Sequence, residues 1–122
     1  MRVLIADDQR EVGTSLADLV RDCKHEIVGV VGSGLEAIQA YNKLHPDVVL
    51  MDYWMPKLNG ATACRNIVAK YPGARVILVC GRPPDSLADS GAMAILNKPI
   101  RMEQLYEALY QAASPGSDSA SQ

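Results

Sequence analysis

Three short stretches carry side chains with chemical reach: the acidic pair Asp7–Asp8 in VLIADD, the single Asp52 in DVVLMDYWMP, and Lys98 in NKP. Each follows directly on an apolar run. The run Val48, Val49, Leu50, Met51 is short for a helix and lacks polar alternation, so it reads as a strand buried on both faces with Asp52 at its carboxyl tip. Taken singly, such an Asp is ordinary turn or helix-start chemistry, and a Lys-Pro after a strand is an ordinary solvated turn. Taken together in one cleft they are something else. Three carboxylates repel unless a cation neutralises them, and an all-oxygen site that retains waters suits Mg²⁺. Lys98 at a neighbouring tip could pair with a carboxylate or with a phosphoryl oxygen. An acidic trio with one Lys is equipment for phosphoryl transfer.

A parallel sheet would gather these tips. Apolar runs at Val3–Ala6, Ile27–Val31, Val48–Met51, Val76–Val79 and Met93–Leu96 alternate with helix-like patterns, a β-α unit repeated five times. Val12, Leu16, Leu19 and Val20 share one face of the first helix; Cys64, Ile67, Val68 and Tyr71 share one of the third; Met102, Leu105, Tyr106 and Leu109 share one of the last. The second helix, with Ala37, Ile38, Tyr41 and Leu44, should stop before Pro46. Between Cys80 and Met93 the stretch GRPPDSLADSGA offers two prolines, two glycines and a single large apolar residue, Leu87, so a fourth helix should be short or irregular. Right-handed crossovers would make a doubly wound five-stranded parallel sheet, and ligands of such sheets bind at the carboxyl ends of strands where the order reverses. In the order 2-1-3-4-5 that point lies between strands 1 and 3, beside Asp7, Asp8 and Asp52.

Bulk properties narrow the classes. A chain of 122 residues is the size of one domain, and 48% hydrophobic with 21% charged residues is an ordinary globular composition. The net charge of −2 and the scatter of Lys and Arg give no basic footprint for nucleic acid or an anionic membrane. No apolar run is long enough for a bilayer and acidic residues arrive too soon for a signal peptide, so a cytoplasmic location is expected. Cys23, Cys64 and Cys80 form neither a CxxC pair nor a zinc pattern and read as separate reduced thiols. Residues 1–113 are expected to form the domain, and the small polar residues of 114–122 a disordered tail with no effector domain after it.

Asp7 and Asp8 after strand 1, MDYWMPKLNG around Asp52, and Lys98-Pro99 after strand 5 occur in order and each at a strand tip. In this the chain resembles the receiver domains of two-component response regulators, the CheY-like family, in its stand-alone chemotaxis type. The 2-1-3-4-5 order rests in part on that resemblance rather than on periodicity. The resemblance implies that Asp52 accepts a phosphoryl group from a phosphohistidine on a histidine kinase or phosphotransfer protein. It also implies that Asp8 and Asp52 coordinate Mg²⁺, that Asp7 helps through water, that the Trp54 carbonyl adds a ligand, and that Lys98 pairs with the phosphoryl group. Pro56 and Gly60 would shape the following loop, Gly60 by taking φ > 0. The signal would leave through protein contacts with a downstream partner, with no external substrate turned over.

The chain also departs from the family. Cys80 stands where Ser or Thr usually presents a hydroxyl, and a thiol is a weak donor. Ile95 stands where an inward-turning Tyr or Phe is usual and is read as core; Trp54 and Arg82, two positions beyond Asp52 and Cys80, flank the phosphate in the family. These changes motivate a second reading, a degenerate receiver that binds partners independently of phosphorylation. A phosphatase acting through an aspartyl-phosphate would need a substrate-binding cap, and no such insert is present.

Overall fold

The computed structural model describes residues 1–81 and 90–113. Its strands are β1 (Arg2–Ala6), β2 (Glu26–Val31), β3 (Val48–Asp52), β4 (Val76–Cys80) and β5 (Ala94–Asn97), and its helices α1 (Arg10–Asp22), α2 (Gly34–Leu44), α3 (Gly60–Lys70) and α4 (Met102–Ala113). All strand pairs are parallel, in the order β2-β1-β3-β4-β5. The doubly wound sheet expected from the sequence is therefore present. The expected short fourth helix, Arg82 and the tail 114–122 lie largely or wholly outside the described residues.

Alternation along the strands builds two cores. Leu4, Val49, Met51, Val76 and Leu78 face α2 and α3, where they meet Tyr41, Cys64 and Ile67. Val3, Ile5, Val48, Leu50 and Ile77 face α1 and α4, where they meet Leu16, Val20, Leu105 and Leu109. Both faces of β3 and β4 are thus covered, and every residue of Val48–Asp52 and Val76–Cys80 is buried.

Local chemistry sets the helix ends. Ser33 caps α2 by accepting from the Glu36 N–H at 3.1 Å, and Asn59 caps α3 by accepting from the Thr62 N–H at 2.9 Å. α2 stops as expected ahead of Pro46, with His45 in the left-handed region at φ 47°. Arg2 reaches across to hold the freed carbonyls of Leu44 and His45 at 2.8 and 2.9 Å.

Two expectations about packing fail, each for its own reason. α4 buries Leu105, Ala108, Leu109 and Ala112, whereas Met102 and Tyr106 are exposed, as is Tyr110. Small alanines allow the helix to approach the sheet, so the large residues turn outward. Ile95, expected in the core, is 41% exposed: β5 is the edge strand, and among the described residues it is the Ala94 and Leu96 face that packs inward.

Candidate functional site

Register assembles the site. Ala6 pairs with Met51 across β1 and β3, so Asp7 and Asp52 leave the sheet at the same level. Asp52 pairs with Val79, and Cys80 with Asn97, which brings the start of the following loop, Lys98, to the same end. Asp7 and Asp52 also continue the strand alternation that faces α1 and α4.

Carboxylate oxygens of Asp7, Asp8 and Asp52 lie within 4.8 Å of one another. Asp7 and Asp52 are buried, and Asp8 is exposed at the mouth. Lys98 Nζ lies 3.0 Å from Asp52 Oδ1 and 3.7 Å from Asp7 Oδ2. Asp7 Oδ1 accepts from the Gln9 N–H at 2.9 Å, while buried Asp7 Oδ2 has no hydrogen-bond partner. Three formal negative charges thus face one cation, with a buried oxygen left over. That orphaned oxygen and the all-oxygen donor set fit a hard divalent cation such as Mg²⁺.

The electrostatics reflect the crowding. Burial pushes the Asp52 pKa up; the Lys98 hydrogen bond and charge oppose this, and the Asp7 and Asp8 charges reinforce it. For Lys98, burial acts to lower the pKa, but the Asp52 hydrogen bond and the Asp52 and Asp7 charges outweigh it and the net shift is upward.

The expected site residues differ in how closely they converge. Cys80 is fully buried at the tip of β4, but its thiol is outside the carboxylate group. Trp54 follows β3 and is 51% exposed, its ring packed edge-on to Tyr53 at 4.5 Å between centroids. Gly60 is needed, though for space and not for conformation. Its φ is outside the left-handed region, and a Cβ there would lie 2.3 Å from the Asp52 carbonyl oxygen. Lys57 is the residue of this loop that takes positive φ, at 71°.

Sequence reasoning missed the residues that frame the mouth. A cleft of about 550 Å³ is lined by Asp7, Asp8, Arg10, Thr14, Gly32 and Glu36 among others. Arg10 and Thr14 come from α1 and Glu36 from α2, so no local spacing announces their convergence. The site also follows the rule that open α/β sheets bind ligands where strand order reverses, here between β1 and β3.

Comparison with known proteins agrees with this geometry. The profile of the response regulator receiver domain matches residues 3–110. The chemotaxis protein CheY of Listeria monocytogenes is 32% identical over 117 residues, spanning 93% of this chain and 98% of that protein. A response regulator receiver domain protein from Clostridium thermocellum superposes with a TM-score of 0.87 at 25% identity, covering 95% of this chain and 96% of the other. A chain of the CheX–CheY–BeF3–Mg²⁺ complex from Borrelia burgdorferi superposes with a TM-score of 0.84 at 25% identity, covering 91% and 87%.

Proposed function

Because the chain belongs to the response regulator receiver family, we propose that it is a phosphoacceptor in which Asp52 takes a phosphoryl group from a phosphohistidine on a histidine kinase or phosphotransfer protein. The observation that carries the reading is the Asp52–Lys98 contact of 3.0 Å inside a carboxylate trio in which the buried Asp7 Oδ2 makes no hydrogen bond. Asp8 and Asp52 would hold Mg²⁺ directly, Asp7 through water, and the Trp54 carbonyl would add a ligand. Bound there, the ion supplies charge neutralisation to the site and polarises phosphoryl oxygens.

The chain's own residues do the rest. An Asp52 carboxylate oxygen attacks phosphorus in line; the new O–P bond forms as the P–N bond to the donor imidazole breaks. The electron pair stays with the imidazole nitrogen, and the ring leaves neutral when its other nitrogen carries a proton. Lys98, first paired with the Asp52 carboxylate, moves its charge onto a phosphoryl oxygen as that carboxylate becomes an acyl phosphate. Burial of Asp52 limits water at the acceptor, which favours transfer from a donor over loss to solvent. The product acts through protein contacts with a downstream partner in the cytoplasm, and no external substrate is turned over.

Incubation of the full chain with a small-molecule phosphodonor and Mg²⁺, followed by intact mass, tests this. One phosphoryl group should be gained, be removed by hydroxylamine, and be absent from Asp52→Asn. A wild-type chain that stays unmodified where other receivers label would overturn the reading. It would favour the degenerate interaction module, which Cys80 in place of a hydroxyl, Ile95 in place of an aromatic and the irregular stretch after β4 in the sequence motivate.

A further inference from the structure

Two close backbone approaches tie the acceptor to α2. At the start of α3, Gly60 lies so near the end of β3 that a Cβ would sit 2.3 Å from the Asp52 oxygen and 2.9 Å from Tyr53 Cα. Its N–H donates to the Tyr53 carbonyl at 2.7 Å. At the start of α2, Gly34 lies against the far end of the same loop, where a Cβ would sit 2.6 Å from the Leu58 carbonyl oxygen. Between these points the loop is braced by the Met55 N–H donating to Tyr53 O at 3.2 Å and the Leu58 N–H donating to Pro56 O at 2.8 Å. A loop pinned at both ends and bonded within itself moves as a strut.

The first turn of α2 also meets the other arm of the site. Glu36 Oε1 accepts from the Gly32 N–H at 2.8 Å, and a Cβ on Gly32 would lie 4.0 Å from the Asp7 carbonyl oxygen. Gly32 and Glu36 line the same cleft as Asp7 and Asp8. The N-terminus of α2 therefore abuts the loop that follows Asp52, and the Gly32 turn that leads into it lies beside Asp7. Among the described residues the opposite flank shows no equivalent: the Lys98 N–H donates to Cys80 O at 3.0 Å, and Ile95 stands out on an edge strand.

We propose that the state of the Asp52 site is transmitted to the first turn of α2, residues Ser33–Ala37, through the loop 53–59. The inference rests on the phosphoacceptor reading. A ligand shifts a conformational equilibrium only through contacts that differ between the two states. A shift of Asp52 moves the loop 53–59 that Gly60 ties to it, and that loop meets the first turn of α2 at Leu58, so this turn is where the difference accumulates.

Amide hydrogen exchange of the full chain, with and without Mg²⁺ and beryllium fluoride as phosphoryl mimic, reads the effect directly. Exchange at residues 33–37 should change by about fivefold or more, and that at 94–97 by less. Linkage requires the reverse effect. Ser33→Ala removes an exposed helix cap while leaving the close approaches of Gly34 and Gly60 in place. It should weaken Mg²⁺ binding by about fivefold in a Trp54 emission titration, with circular dichroism unchanged. If Asp52 gains a phosphoryl group by mass while residues 33–37 exchange as before, or if Ser33→Ala titrates like wild type, the coupling is overturned and the acceptor reading stands. If neither mass nor Trp54 emission responds, both fall together.

Discussion

On the β1–β3 flank of Asp52, buried carboxylates, a loop braced at both ends and the first turn of α2 press against one another. On the β4–β5 flank the neighbours among the described residues are a buried thiol, one Lys and an edge strand whose Ile95 faces outward. The first flank is crowded, with repulsive charge held by surrounding backbone; the second, among the described residues, is sparse. The contrast teaches where binding energy can do conformational work. Only a region whose contacts must change when charge is neutralised can report that neutralisation.

The sharpest way to break the comparison is to add one methyl group to each flank. Gly60→Ala drives a Cβ to 2.3 Å from backbone oxygen, which cannot rotate away, whereas at Gly81 a Cβ meets the Lys98 Cβ at an ordinary 3.8 Å. Gly60→Ala should cost about 3 kcal/mol in urea unfolding, and Gly81→Ala less than about 0.5 kcal/mol. Equal losses would mean that the β3 loop is not the tighter of the two.

Lys98 is the asset of the sparse flank. It lies within 4 Å of both buried carboxylates, and its charge is available to the phosphoryl oxygens. Lys98→Ala should slow labelling by a small-molecule phosphodonor about 10²-fold at unchanged circular dichroism. A rate within a few-fold of wild type would assign charge stabilisation to the acidic flank alone.

Repulsion on the crowded flank has a sign that pH reveals. Asp52 has a raised pKa in the fold, so between its unfolded and folded values the native state binds more protons than the unfolded one. Its contribution to stability is fully present below the unfolded value, about 4, and is lost as pH rises through the folded value. Metal-free Asp52→Asn should therefore match wild type in acid and become the more stable of the two at neutral pH, as read by thermal unfolding. A mutant less stable at neutral pH would show that the Lys98 pair outweighs the crowding.

What could be read from the sequence follows the same division. Asp7, Asp8, Asp52 and Lys98 are legible because each ends an apolar run, and parallel register carries strand tips to one edge. The stop of α2 before Pro46 is legible because Pro acts locally on the residue ahead of it. Ile95 and Tyr106 were misplaced because periodicity cannot tell that β5 is an edge or that alanines take the inner face of α4. The role of Gly60 was misread because a glycine chosen for close approach looks the same, in sequence, as one chosen for positive φ.

Cys80 offers the smallest and most selective test of the sparse flank. The side chain is fully buried at the β4 tip, and Thr adds little volume while replacing a weak donor with a hydroxyl. With the site free of ligand, that hydroxyl must find a main-chain acceptor or remain unsatisfied, so Cys80→Thr should be neutral or mildly destabilising, by less than about 1 kcal/mol. With a phosphoryl group or beryllium fluoride on Asp52, an oxygen acceptor becomes available near the strand tip. A neutral hydrogen bond gained only in that state contributes about 1 kcal/mol, which is about fivefold tighter beryllium fluoride binding. Amide exchange at 94–97 should then respond more strongly than in wild type, because the ligand now makes a contact on β4 that differs between states. Unchanged affinity and unchanged exchange would show that the missing hydroxyl is not what leaves this flank quiet. The edge position of Ile95 would then be its cause.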